Sequence, residues 1–121
     1  MKTIRECISR YLGIPYVHLG RTMQGLDCYG LIILVYRDLG VELVDSENYD
    51  KSKSYREEWK RVDSPQLFDV VLFRIVKGVA NHAGIYLDEY RFLHCMEAGV
   101  VVGKFGDDVW SNIAGYFRIK R

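Results

Sequence analysis

A chain of 121 residues and 14.1 kDa, 49% hydrophobic and 27% charged, has the makeup of one globular domain and excludes wholesale disorder. Its 17 basic and 16 acidic residues leave a net charge of +1, which argues against a dedicated nucleic-acid binder and against a polybasic membrane anchor. The longest apolar run, Leu31 to Tyr36, is far short of the ~20 residues a spanning helix needs, so no membrane insertion is expected.

The start, MKTIRECISR, carries Lys2, Arg5, Glu6 and Arg10 and lacks the apolar stretch of a secretory signal. Three cysteines, an odd number, then point to free thiols in a reducing compartment. There is no CxxC pair, so neither a structural metal nor a cofactor is expected.

In chain order, Thr3 and Glu6 form a capping box ahead of a helix whose apolar face is Ile4, Cys7, Ile8, Tyr11 and Leu12. Gly13 and Pro15 stop it. Cys7 reads as a small core residue. Residues 14–26 read as a glycine-bearing loop. Asp27 is a natural N-cap for a second helix that presents Leu31, Leu34, Val35 and Leu39 and closes at Gly40. Residues 45–64 are polar, with room for a short helix around Ser54 to Arg61. The charges of Lys51 to Arg61 read as a solvated face.

From Pro65 the pattern turns to strands: 69–75, 82–87, 90–95, 100–102 and 116–119, with a hairpin connection at Leu87 to Tyr90. Helices followed by closely linked strands imply an α+β fold, N-terminal helices on an antiparallel sheet, with residues 1–121 forming one domain.

Two residue types in this frame can do chemistry. Cys28 opens the second helix, where free amides and the helix dipole favour a thiolate; a buried, inert cysteine is the competing reading. His82 opens a strand and His94 lies in the next. A hairpin centred on Asp88-Glu89 sets the two histidines opposite each other on one face, so one ring can orient the other as a general base. Cys95 points to the other face and reads as core. His18, in the loop, reads as surface or rim. A zinc site from Cys28, His82 and His94 is chemically feasible but lacks metal-ligand spacing.

The segments IPYVHLGRTMQGLDCYGLI, FDVVLFR, NHAGIYL and FLHC together resemble the NlpC-type cell-wall cysteine peptidases, which are papain-like. That family's usual motifs are PY-x-W-G-G, D-C-S-G-L, G-D-L-V-x-F, H-V-G-I-Y and F-I-H. The resemblance implies Cys28 as nucleophile at a helix N-terminus, His82 as general base and acid, and His94 as the residue that orients it. It implies substrate-binding roles for Tyr16, Asp27 and Tyr29, Asp27 being placed to hold a free amino end. Tyr29 stands for the usual serine, His18 for tryptophan, and Leu19 and Phe68 for glycines.

The implied activity is a cysteine endopeptidase that cuts peptide stems of bacterial peptidoglycan through an acyl-enzyme. Residues 110–118 resemble the ending of versions found with bacteriophage tails. That implies tail proteins as partners; synthesis in the bacterial cytoplasm without a secretory signal leaves carriage in a virion, release by lysis, unconventional export or retention for recycling as routes. Two rivals remain at this stage: a non-enzymatic tail-assembly scaffold, and a thiol acyltransferase or amidase acting on another substrate.

Overall fold

The computed structural model describes residues 1–45, 58–75, 81–106 and 108–120. Helix α1 runs Ile4–Tyr11. The Thr3 hydroxyl caps it, accepting the Glu6 amide at 3.1 Å and donating to Glu6 Oε1 at 3.1 Å. Gly13 ends it at φ +88°, a conformation a side chain would resist. The Tyr11 hydroxyl donates to Leu34 O at 3.1 Å and bonds Asp38, which also pairs with Arg10, so α1 is tied to the second helix.

Helix α2 runs Cys28–Asp38, and Asp27 Oδ1 accepts the Gly30 amide at 2.7 Å as its N-cap. Its buried surface is wider than the expected stripe. Leu31, Ile32, Ile33, Val35 and Tyr36 are all buried, whereas Leu34 and Leu39 are only half-buried. The reason is cover from more than one direction. The main core holds these residues together with Cys7 and Tyr11 of α1, Val41 and Leu43 beyond α2, and the sheet.

Among the described residues eight strands follow one another: β1 Arg21–Thr22, β2 Gly25–Leu26, β3 Trp59–Val62, β4 Val70–Phe73, β5 His82–Tyr86, β6 Arg91–Met96, β7 Gly99–Lys104 and β8 Ile113–Ile119. β1 and β2 form a small antiparallel ribbon. The other six form one antiparallel sheet in the order β3-β8-β4-β5-β6-β7. This is an α+β fold with two helices on an antiparallel sheet.

Three expectations need correction. The 14–26 segment holds the β1–β2 ribbon; two-residue strands carry too little alternation to be read. The end of the expected helix at Ser54 to Arg61 is strand β3, and residues 46–57 lie outside the described residues. Trp59 is buried against Tyr36 (ring centroids 5.3 Å, edge to face) while Lys60 and Arg61 are exposed, as suits a charged edge strand. The β5–β6 register is also shifted. Tyr86 pairs Phe92 and Ile85 pairs Leu93, so the hairpin centres on Glu89. The Asp88 side chain sets this, since Oδ1 accepts the amides of Tyr90 and Arg91 (both 2.9 Å) and Oδ2 takes the Arg91 guanidinium.

Alternation splits the sheet into two faces. Ala83, Ile85, Leu93 and Cys95 face the main core with α2. Val71, Phe73 and Phe92 form a second cluster, against which Phe105, Trp110, Ile113 and Tyr116 pack.

Candidate active site

His82 and His94 lie on the second face and meet, with His82 Nε2 3.0 Å from His94 Nδ1. They meet diagonally and not in direct opposition, because of the register shift. The continued register sets Gly84 against His94. A Cβ on Gly84 would stand 3.3 Å from His94 Cβ and 3.0 Å from the Leu93 carbonyl. Glycine there removes the side chain that would otherwise occupy this space.

Both rings are buried, His82 8% and His94 2% exposed. Burial pushes the pKa of each down to about 4 from an ordinary 6.5, with the neighbouring His82 adding to the effect on His94. The pair is therefore neutral at pH 7, and one ring donates to the other.

Cys28 is the first residue of α2 and is half-buried. α2 packs against β5 and β6, the two strands that carry the histidines. Cys95 lies on the α2 face, as expected from alternation. Its Sγ is 3.1 Å from the Leu26 carbonyl, and burial, aided by Cys28 and Asp27, raises its pKa to about 11. Cys7 is fully buried and likewise raised to about 11. Both are core thiols, protonated at neutral pH.

Tyr16 is 40% exposed and bridges to Leu26. His18 is exposed. The Tyr29 hydroxyl donates to Val44 O at 2.7 Å, so this oxygen is turned toward the segment after α2. Among the described residues, no group of three or more histidines, cysteines and carboxylates converges as a metal site.

Sequence reasoning missed Arg21. Its Nη1 donates to Asp27 Oδ1 at 2.7 Å and to Gly20 O at 2.9 Å, and its Nε donates to Asp45 Oδ2 at 2.9 Å. Its guanidinium carbon is 5.7 Å from the Tyr29 ring centroid. One cation thus clamps the ribbon, the α2 cap and the segment after α2. The signal available was a lone arginine six residues before an N-cap aspartate. Gly30 permits the contact, since a Cβ there would lie 2.1 Å from Gly20 O. Trp110 was also missed. It belongs to a 3-10 turn, Asp108–Ser111, between β7 and β8, and reaches the histidines only through the fold.

Comparison with known proteins gives the family and the fold. The model of the NlpC/P60 family matches residues 13–118. The chain is 30% identical to the murein DD-endopeptidase MepS/murein LD-carboxypeptidase of Escherichia coli K12 over 88% of its length, and 29% identical to the probable peptidoglycan endopeptidase LytE of Bacillus subtilis over 82%. It spans 56% of the first relative and 28% of the second. A crystal structure of a lipoprotein-like NLP/P60 family protein from Staphylococcus aureus superposes with a TM-score of 0.73 at 25% identity, covering 98% of this chain and 40% of that one. The sequence, the antiparallel sheet with its two helices, and the paired histidines in order after Cys28 place this chain in the NlpC/P60 family.

Proposed function

We propose that the chain is a cysteine endopeptidase that hydrolyses peptide stems of bacterial peptidoglycan, with Cys28 as nucleophile, His82 as general base and acid, and His94 as the group that orients it. The observation that carries this reading is the buried His82–His94 hydrogen bond. With Nε2–H of His82 donated to His94 Nδ1, the basic lone pair of His82 sits on Nδ1, the nitrogen left for a thiol proton. Names of relatives support the substrate class, since MepS and LytE are called murein and peptidoglycan endopeptidases.

The steps follow from these roles. His82 Nδ1 takes the Cys28 proton, and the sulfur attacks the scissile carbonyl carbon. The oxyanion is held by the Cys28 amide at the start of α2, with the Tyr16 hydroxyl as a second donor. The carbon–nitrogen bond breaks as His82 returns the proton to the leaving amine. Water, deprotonated by the same ring, then cleaves the thioester and frees the acid and Cys28. Asp27 caps α2 and pairs with Arg21 through Oδ1, so Oδ2 is the oxygen left for a substrate amine. Tyr29 shapes the rim with its ring, its hydroxyl being held by Val44 O.

The test is incubation of wild type and Cys28→Ala with defined muropeptides, read by mass spectrometry. Two fragments whose masses sum to the substrate plus one water are expected from wild type, with a loss of about 10³-fold or more in the variant. Undiminished cleavage by Cys28→Ala would sink the mechanism.

A further inference from the structure

A single hydrogen bond between two imidazoles fixes the distance between them but leaves each ring free to twist about it. Something else must hold the ring planes. Among the described aromatic residues, Phe73 contacts His82 and Phe92 contacts His94, but only Trp110 contacts both. Its ring centroid is 5.4 Å from that of His82 at 40°, and 4.7 Å from that of His94 at 76°. Trp110 is itself braced by Phe73 at 5.2 Å and Phe92 at 5.5 Å, both edge to face.

The indole also stands at a boundary. An open groove of about 450 Å³ runs over β6 and β7, lined by His94, Met96, Val101, Lys104 and Trp110. Trp110 and His94 both line that groove, His82 does not, and Trp110 packs on the His82 ring. Burial is what lowers both rings, with His82 adding to the effect on His94. Lys104 lines the groove, and Cys28 opens α2, which packs against β5 and β6. Apolar cover is therefore what sets the state of this pair, and Trp110 supplies the part of it nearest the groove.

We propose that Trp110 is a positioning residue of the catalytic centre: its indole packs on both imidazoles, holds their planes and covers His82 on the side of the groove, so that His82 keeps one nitrogen on His94 and presents the other to Cys28. The assignment rests on the cysteine-peptidase reading above and adds a residue to it.

The experiment compares wild type with Trp110→Phe, Trp110→Leu and Trp110→Ala. Two quantities are read: the titration of the histidine ring resonances by NMR, and muropeptide cleavage at pH about 5 against pH about 8. In Trp110→Ala the imidazole midpoints should rise by about one unit or more toward 6.5, as water reaches the rings. Neutral His82 is the base, so cleavage at the lower pH should fall more than at the higher one, by about twofold for a one-unit rise and about thirtyfold if the midpoint reaches 6.5. Trp110→Leu should shift less, and Trp110→Phe least, with cleavage restored to within about twofold of wild type. A merely structural role would lower the melting temperature and leave both the titration and the pH ratio alone.

Wild-type titration and pH ratio in a folded Trp110→Ala overturn the proposal. Should that variant not fold, identical titrations in Trp110→Leu and wild type overturn it instead. His82→Ala keeps the two readings apart. If it cleaves as well as wild type, the peptidase mechanism fails, while the NMR titration still decides the placement of Trp110.

Discussion

The two halves of the candidate site are held together by different physics. The nucleophile half is polar and depends on close backbone approach. Arg21 joins Asp27 and Asp45, Gly30 lets the ribbon lie against α2, and the rim residues Tyr16, Val17, Leu19 and Met23 are 40–48% exposed. The imidazole half is aromatic and dry, with Phe73, Phe92 and Trp110 around two buried rings. The contrast suits the proposed division of labour. A thiol must meet substrate at a surface, whereas a base whose pKa is set by burial must be kept from bulk water. Changes in the first half should act through geometry, and changes in the second through protonation.

The largest expected effect is in the polar half. A Cβ on Gly30 would stand 2.1 Å from the Gly20 carbonyl oxygen and 3.1 Å from Arg21 Nη1. The first of these is backbone and cannot swing away. Gly30→Ala should therefore push the ribbon off α2, break the Arg21–Asp27 contact and cost about 3 kcal/mol, at the upper end for overpacking. Urea denaturation would measure it. A midpoint unchanged from wild type would show that the ribbon yields freely and that the clamp is loose.

The imidazole half should respond to pH instead. Each ring has a folded pKa of about 4 against 6.5 when exposed, so the folded state binds these protons less readily than the unfolded chain. Stability from neutral burial is then fully present above pH 6.5 and is lost as pH falls from there toward about 4. The ceiling is about 3 kcal/mol per ring, and less for the pair because the two sites interact. Urea midpoints between these limits should fall more steeply for wild type than for the double variant His82→Gln, His94→Gln. Equal slopes would mean that the rings are already solvated.

Legibility in the sequence followed the range of each interaction. The caps of both helices were readable because Thr3, Glu6, Asp27, Gly13 and Gly40 act on neighbours a few residues away. The histidine pair was readable for a subtler reason. The register was misplaced by the turn at Asp88, but a shift by two residues preserves the face, and Gly84 left the diagonal open. Strand β3 was not readable because an edge strand with Lys60 and Arg61 outward looks like a solvated segment. Trp110 and Arg21 were not readable as site residues because their partners lie on other elements. Trp110 is 28 positions from His82 and meets it only when β8 returns beside β4.

The smallest effect tests the rim and explains two departures from the family motifs. Leu19 and Phe68 occupy positions where the family usually has glycine, and among the described residues they are the non-glycine residues with positive φ, at 59° and 75°. A side chain there costs roughly 1–2 kcal/mol of local strain. The two differ in what they receive in return. Phe68 is half-buried and packs against the main core, so Phe68→Gly should lose more in packing than it recovers in backbone strain. Leu19 is 45% exposed, so Leu19→Gly should gain about 1 kcal/mol and raise the melting temperature by a few degrees. Leu19→Ala keeps the strained φ without the side chain and should show no gain. If Leu19→Gly were no more stable than Leu19→Ala, the strain would be absent. If it were more stable yet cleaved muropeptides less well, the exposed leucine at the rim would be held in place, against its backbone preference, for contact with substrate.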